Sequence, residues 1–295
     1  MKNRLSLLIL LAISNIAMSQ NTILWKVSDS LNIKTSYIVG TLHQMGNSFI
    51  DSIPEIKQYL YDSEIAIFES IDSVDKIIKS INNREISLTI RKVLKKNDYS
   101  RLLELSGNWN VDIHKLTPLE LRWKLEQEFV KIKCETVRAN DQWDHFDYYL
   151  QHLAKANGLE IIGLETNKEQ LDFIKKENSY PNWTDERKDI RYLIGQFYRT
   201  DYNKNKCDLV EKYRHFQLDY KLETPCSESI LIKSRNKKWM TILPELLNEN
   251  NCFVAVGFLH LYYKCGILEQ LKSIGFNIEP IQLNPIFNSI NTKKN

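Results

Sequence analysis

Residues 252–257 read Cys-Phe-Val-Ala-Val-Gly, with Phe258-Leu259-His260 directly after them. A strand with one wet face alternates apolar and polar residues, whereas this run is apolar throughout. It therefore reads as a central strand covered on both faces. Two further runs have the same character: EIAIFE at 64–69 and LEIIGL at 159–164. Short strands at 23–27, 36–42 and 276–281 complete the set. The stretches between them carry helical spacing, as at Leu119, Leu121, Leu125 and Phe129 after Pro118. The expected fold is α/β (α+β). N-terminal and C-terminal strands build one central mixed sheet, and helices flank it. The middle of the chain, at about 75–137 and 183–225, reads as helical insertions or a cap on a single domain over 20–295.

Composition bounds the function. The chain has 295 residues with 40 Lys+Arg against 37 Asp+Glu, a formal charge of +3. So even a balance argues against a general nucleic-acid binder. Residues 1–19 have the layout of a secretory signal: Lys2 and Arg4, an apolar stretch over 5–18, then small residues at Ala17 and Ser19. Export to a periplasmic or extracellular space is expected. No later segment is long and apolar enough for a membrane span. Of the five cysteines, Cys207 with Cys226 and Cys252 with Cys265 are the first pairs to consider, with buried single thiols as the alternative.

The chemistry concentrates at strand ends. Two histidines share a local frame, Gly40-Thr41-Leu42-His43 and Gly257-Phe258-Leu259-His260. A glycine at a strand's end lets backbone or ligand approach closely, and the carboxyl ends of parallel strands are where open sheets build sites. Glu69 closes one apolar run and Glu165 follows another. Two imidazoles and two carboxylates meeting there suit a divalent metal ion, with zinc, manganese or cobalt as the options. His43, His260 and Glu69 are the expected ligands. Such an ion acidifies bound water and polarises a carbonyl. Glu69 and Glu165 are the candidate base and orienting acid. Arg235, placed by this reading at the start of a helix and followed by Asn236, can hold a carboxylate or an oxyanion. Its sequence context, among Lys233, Lys237 and Lys238, is that of a surface residue. His114, His145, His152 and His215 lack the strand-end setting and read as packing or surface residues.

These segments, in this order, resemble the TraB/PrgY/GumN group, which is related to the Tiki metalloproteases. Leu24 to Val27 and Ser36 to His43 look like the opening strands and the first GxxH. Glu64 to Glu69 is similar to the strand ending in the group's Glu. Gly163-Leu164-Glu165-Thr166 with Glu169-Gln170 looks like its GLE-T-x-x-EQ segment. Arg235-Asn236 is similar to its Arg-Asn pair, and Phe253 to His260 to its second GxxH strand. The resemblance implies an exported, metal-dependent hydrolase acting on a peptide or small molecule, with Glu69, Glu165, Arg235 and Asn236 as catalytic residues. Haem-binding relatives imply an alternative: a non-catalytic haem-, metal- or small-ligand-binding protein, for which Tyr262 and Tyr263 are candidate ligands. The chain departs from the group at Tyr262-Tyr263, where relatives carry a glycine-containing turn. There the bulky rings are expected to narrow the site mouth.

Overall fold

The computed structural model describes residues 21–29, 33–226 and 229–286. The signal-like segment lies outside them. The order of elements is β1 (Leu24–Ser28), β2 (Thr35–Thr41), α1 (Asn47–Asp51), α2 (Pro54–Tyr61) and β3 (Ile65–Phe68). A helical run follows: α3 (Val74–Asn82), α4 (Thr89–Val93), α5 (Lys96–Leu105) and α6 (Pro118–Lys133). Next come α7 (Phe146–Ala156), β4 (Glu160–Gly163), α8 (Asn167–Glu177), α9 (Trp183–Phe197), α10 (Asn205–Arg214) and α11 (Ile230–Trp239). The chain closes with α12 (Leu243–Glu249), β5 (Cys252–Gly257), α13 (Ile267–Ser273) and β6 (Asn277–Pro280).

The six strands form one mixed sheet in the order β4-β3-β5-β2-β1-β6. β4, β3, β5 and β2 run parallel, and β1 is antiparallel to both β2 and β6. The fold is thus the expected α/β class, with first and last strands sharing a sheet. β5 lies between β3 and β2, and all six of its residues are buried. LEIIGL differs from its expectation of cover on both faces. β4 is an edge strand, and its residues are partly exposed.

The buried apolar residues fall into separate clusters. The main one packs both faces of the sheet and includes Trp239, Tyr213, Tyr220 and Phe253, all fully buried. Its tyrosines keep their hydroxyls satisfied: Tyr213 donates to the Gly40 carbonyl at 2.6 Å and Tyr220 to that of Thr22 at 2.8 Å. A second cluster joins Ile90, Leu102, Leu121, Leu125, Ile190 and Leu193, contributed by α4, α5, α6 and α9. α6 begins at a capping box, where Thr117 and Glu120 satisfy each other's backbone N–H groups and Pro118 takes the first position.

Several local expectations need correction. Arg235 does not start a helix. α11 begins at Ile230, and Pro244 sits in the first turn of the separate α12. Arg235 and Asn236 therefore lie in the second half of α11. The helical stretch expected over about 183–225 stops at Arg214, and Phe216 and Lys221 take left-handed backbone conformations beyond it. The disulfides are Cys134–Cys207 and Cys226–Cys265, and Cys252 is a buried free thiol. Cys252 opens β5, so about 20 Å of strand stands between it and the loop that holds Cys265. Among the described residues, no helix is long and apolar enough to cross a membrane.

Candidate functional site

The register of the parallel strands brings their carboxyl ends level. Thr41 pairs with Gly257, and Phe68 pairs with both Ala255 and Gly163. His43, Glu69, Glu165 and His260 each follow such an end within three residues. All except Glu165 line a pocket of about 400 Å³, and Arg235 joins them there. Glu165 sits behind the pocket wall, bonded to Arg235.

Arg235 is 4% exposed, not the surface cation its neighbours in sequence suggest. Its Nε donates to Glu165 Oε1 at 2.9 Å, and Nη2 donates to Glu165 Oε1 at 2.6 Å and to Glu69 Oε2 at 2.5 Å. Nη1 donates to Nε2 of His260 at 2.8 Å. A guanidinium has five N–H donors, so one on Nη1 remains uncommitted. Trp239, four residues on and hence on the same helical face, packs its ring 4.6 Å below the guanidinium and donates to Glu165 Oε2 at 3.3 Å. Burial raises the cost of charge on both glutamates. At Glu69 the adjacent Arg235 outweighs that cost and holds the carboxyl well below the usual range. At Glu165 burial prevails and the carboxyl is pushed up.

The tautomer of His260 follows from its partners. Asn236 donates through Nδ2 to the carbonyls of His260 at 3.0 Å and Cys265 at 2.9 Å, which fixes the orientation of its amide. Its Oδ1 therefore accepts from Nδ1–H of His260 at 2.6 Å, leaving the Nε2 lone pair to accept from Arg235. Burial pulls this imidazole down to about 3, so it is neutral. Asn236 is fully buried, with its hydrogen bonds directed to the second GxxH segment.

His43 is built differently. Its Nδ1 lies 2.6 Å from Asp147 Oδ2, and Asp147 also accepts from Thr41 at 3.1 Å. Asp147 stands in the first turn of α7. Burial opposes charge on His43, but Asp147 and then Glu69 outweigh it and push the imidazole up to about 9. Its Nε2 faces Glu69 Oε1 across 3.9 Å. His145, immediately before α7, stacks on His43 with centroids 5.3 Å apart. Its buried Nδ1 has no hydrogen-bond partner among the described residues, and burial pulls the ring down to about 4.

His43, His145 and Asp147 each offer a ligand atom within 4.8 Å of the others, and this group could hold a metal ion. The donor set fits one. Two imidazoles and a carboxylate suit a divalent transition metal, and an unpartnered buried nitrogen points into the cluster. Charge agrees: once His43 gives up its proton to act as a ligand, Glu69, Glu165 and Asp147 bring three buried carboxylates against the one guanidinium of Arg235. A divalent cation balances that excess. In the expected set of His43, Glu69 and His260, Glu69 Oε1 lies between the two rings, 3.9 Å from His43 Nε2. His260 and Glu69 stand 3.7 Å apart, but both nitrogens of His260 are hydrogen-bonded and Arg235 supplies the cation facing them.

The glycines of the two frames do different work. A Cβ on Gly257 would stand 3.0 Å from Glu69 Oε1 and 3.3 Å from His43 Nε2, and the Gly257 N–H donates to Glu69 Oε1 at 2.7 Å. A Cβ on Gly40 would stand 2.8 Å from a methyl of Leu261 and 3.0 Å from Cβ of Phe258. One glycine clears the site, and the other lets the two motifs pack together. The segment after Glu165 is explained similarly. Thr166 and Glu169 form the capping box of α8, and Gln170 then donates to Glu69 Oε2 at 3.0 Å.

Tyr262 and Tyr263 do not line the pocket. Tyr262 packs on Tyr220 and Phe258, and Tyr263 adopts φ 67° in the turn where the resembling group carries glycine. They neither narrow the mouth nor offer ligands there. Sequence reasoning missed Asp147, His145, Trp239 and Gln170. The signals available were a His-x-Asp spacing at a helix start, the four-residue step from Arg235 to Trp239, and the Gln next to Glu169.

The model of the TraB/PrgY/gumN family matches residues 23–280 of the chain. No curated protein and no solved structure matches it.

Proposed function

The chain belongs to the TraB/PrgY/gumN family, and within it we propose an exported, metal-dependent hydrolase that cleaves an amide bond, most simply a peptidase. The observation that carries this reading is the meeting, in one pocket, of the His43–His145–Asp147 donor group with a rigidly held Arg235.

His43, His145 and Asp147 would hold the metal, which, when bound, supplies a polarised carbonyl and an acidified water. Arg235 uses its remaining N–H to hold the oxygen on which negative charge develops. Glu69 and Glu165 fix the plane of the guanidinium, and Trp239 supports it from below. Glu69 is too weak a base for the proton-accepting role expected of it while Arg235 sits against it. Its second oxygen accepts from the Gly257 N–H and faces His43 Nε2 across 3.9 Å, so Glu69 ties the orientation of Arg235 to that of His43. Asn236 is a positioning residue. It fixes the tautomer of His260 and keeps the ring turned toward Arg235.

Two disulfides suit an oxidising compartment, which supports export. We read the chain as one domain with helical insertions at about 75–137 and 183–225, a reading supported by the separate apolar cluster that α4, α5, α6 and α9 share.

The test combines metal analysis of the purified protein with cleavage of a peptide library. Bound zinc, manganese or cobalt in near-equal molar amount is expected, with activity abolished by chelation and by Asp147→Asn. Activity that survives both treatments overturns the reading.

A further inference from the structure

The pocket has two unlike walls. One is the strand-end cluster already described. The other comes from helices: Trp123 and Gln127 of α6, Asn167 of α8, and an aliphatic strip of Ile174, Leu231 and Ile232. Trp123 and Gln127 are four residues apart and share a helical face.

Two donors on this wall lack acceptors. Nε1 of Trp123 and Nδ2 of Asn167 are buried, and neither has a hydrogen-bond partner among the described residues. Buried N–H groups are costly when unpaired, and such groups in native proteins ask for an explanation. Both lie on the lining of the same pocket, which makes a ligand's acceptor oxygens the natural partners. Charge narrows the ligand further. Arg235 is the only Lys or Arg among the described lining residues, and it has one N–H to give. Glu69, Asp72 and Asp147 line the pocket too. An anionic group entering it meets those carboxylates, and the two cations there, Arg235 and His43, already face Glu69 and Asp147.

We propose that this wall is the specificity subsite, and that it takes an uncharged internal stretch of peptide bearing an aliphatic side chain. Backbone carbonyls of the substrate accept from Trp123 and Asn167 as the wall opens to receive it. The carboxamide of Gln127 pairs with the backbone between them, and the side chain lies on Ile174 and Ile232. Acidic side chains and a free terminal carboxylate are excluded by repulsion. The inference rests on the hydrolase reading for its amide-bond substrate, and on the unpaired donors and the aliphatic strip for its selectivity.

Binding without turnover separates the two. The full chain, freed of metal by chelation, is titrated into three fluorescein-capped pentapeptides and followed by fluorescence anisotropy. All are alanine except the centre: one has central leucine and an amidated end, one central aspartate and an amidated end, and one central leucine and a free carboxylate. The leucine amide is expected to bind at least tenfold tighter than either other peptide. Trp123→Phe keeps the ring and loses the N–H, and should weaken it about fivefold. Ile232→Asp should erase the preference for leucine over aspartate. Equal binding of the three, no measurable binding, an unaffected Trp123→Phe variant, or displacement by maltopentaose alone overturns the proposal. Selective binding with no cleavage under any metal upholds the subsite and removes the hydrolase reading. Cleavage without this selectivity does the reverse.

Discussion

The two GxxH segments are the same four-residue frame on adjacent parallel strands, yet their histidines differ in every physical respect. The side chain of His43 is 35% exposed and that of His260 is 2% exposed. Asp147, a carboxylate, holds the first imidazole, whereas Asn236, a carboxamide, holds the second. The first is pushed up to about 9 and the second pulled down to about 3. The strands deliver the backbones, and the helices behind them decide the chemistry: α7 for His43 and α11 for His260. A repeated motif is therefore evidence of repeated placement only.

The most disruptive way to break the contrast is Arg235→Met. It leaves Glu69 and Glu165 buried without their cation, and should cost about 3–5 kcal/mol in denaturant unfolding. A loss below 1 kcal/mol would mean that the cluster is not the buried hub described. Next comes Gly40→Ala against Gly257→Ala. The first overpacks Leu261 and Phe258 and should destabilise by about 1–3 kcal/mol. The second crowds Glu69 and His43, so its loss should fall on catalysis more than on melting temperature.

Exchanging the partners sharpens the comparison. In metal-free protein, Asp147→Asn should bring His43 down by at least about one pH unit, worth about 1.4 kcal/mol, as read by NMR titration of the ring proton. Asn236→Asp should raise His260. The stability profile carries opposite slopes. His43 binds its proton more tightly folded than unfolded, so its contribution is complete below about 6.5 and is lost as pH rises through about 9. His260 binds its proton less tightly folded, so stability is lost as pH falls from about 6.5 toward 3. Asp147→Asn should flatten the alkaline limb alone. An unchanged limb would show that His43 is not its source. The smallest effect belongs to His152→Ala, on the exposed part of α7, which should stay within about 0.5 kcal/mol of the parent with full activity.

Much of this was readable from residues alone. Continuous apolar runs located β3 and β5, and the glycine-to-histidine spacing located the carboxyl edge, because both are local properties of a strand. Arg235 looked like one of a group of surface cations, because sequence cannot say which face of a helix meets the sheet. Asp147 and His145 were overlooked for a related reason. They become neighbours of His43 only when α7 docks beside the end of β2. The disulfides failed on the same ground. Nearness along the chain favoured Cys252 with Cys265, but a buried strand lies between them, and burial pushes the Cys252 thiol up to about 12.

Each half of the pocket is also tied to its own disulfide. Cys134 bonds to Cys207 at the head of the segment that leads to His145 and Asp147, and Thr136 in that segment bonds to the carbonyl of Gln44 beside His43. Cys265 bonds to Cys226, and its carbonyl is gripped by Asn236 beside His260. Each bond thus braces one half of the pocket: one the half around His43 and Asp147, the other the half around Arg235 and His260. A newly made chain with reduced thiols carries every residue of the site but neither of the ties that hold its halves in place.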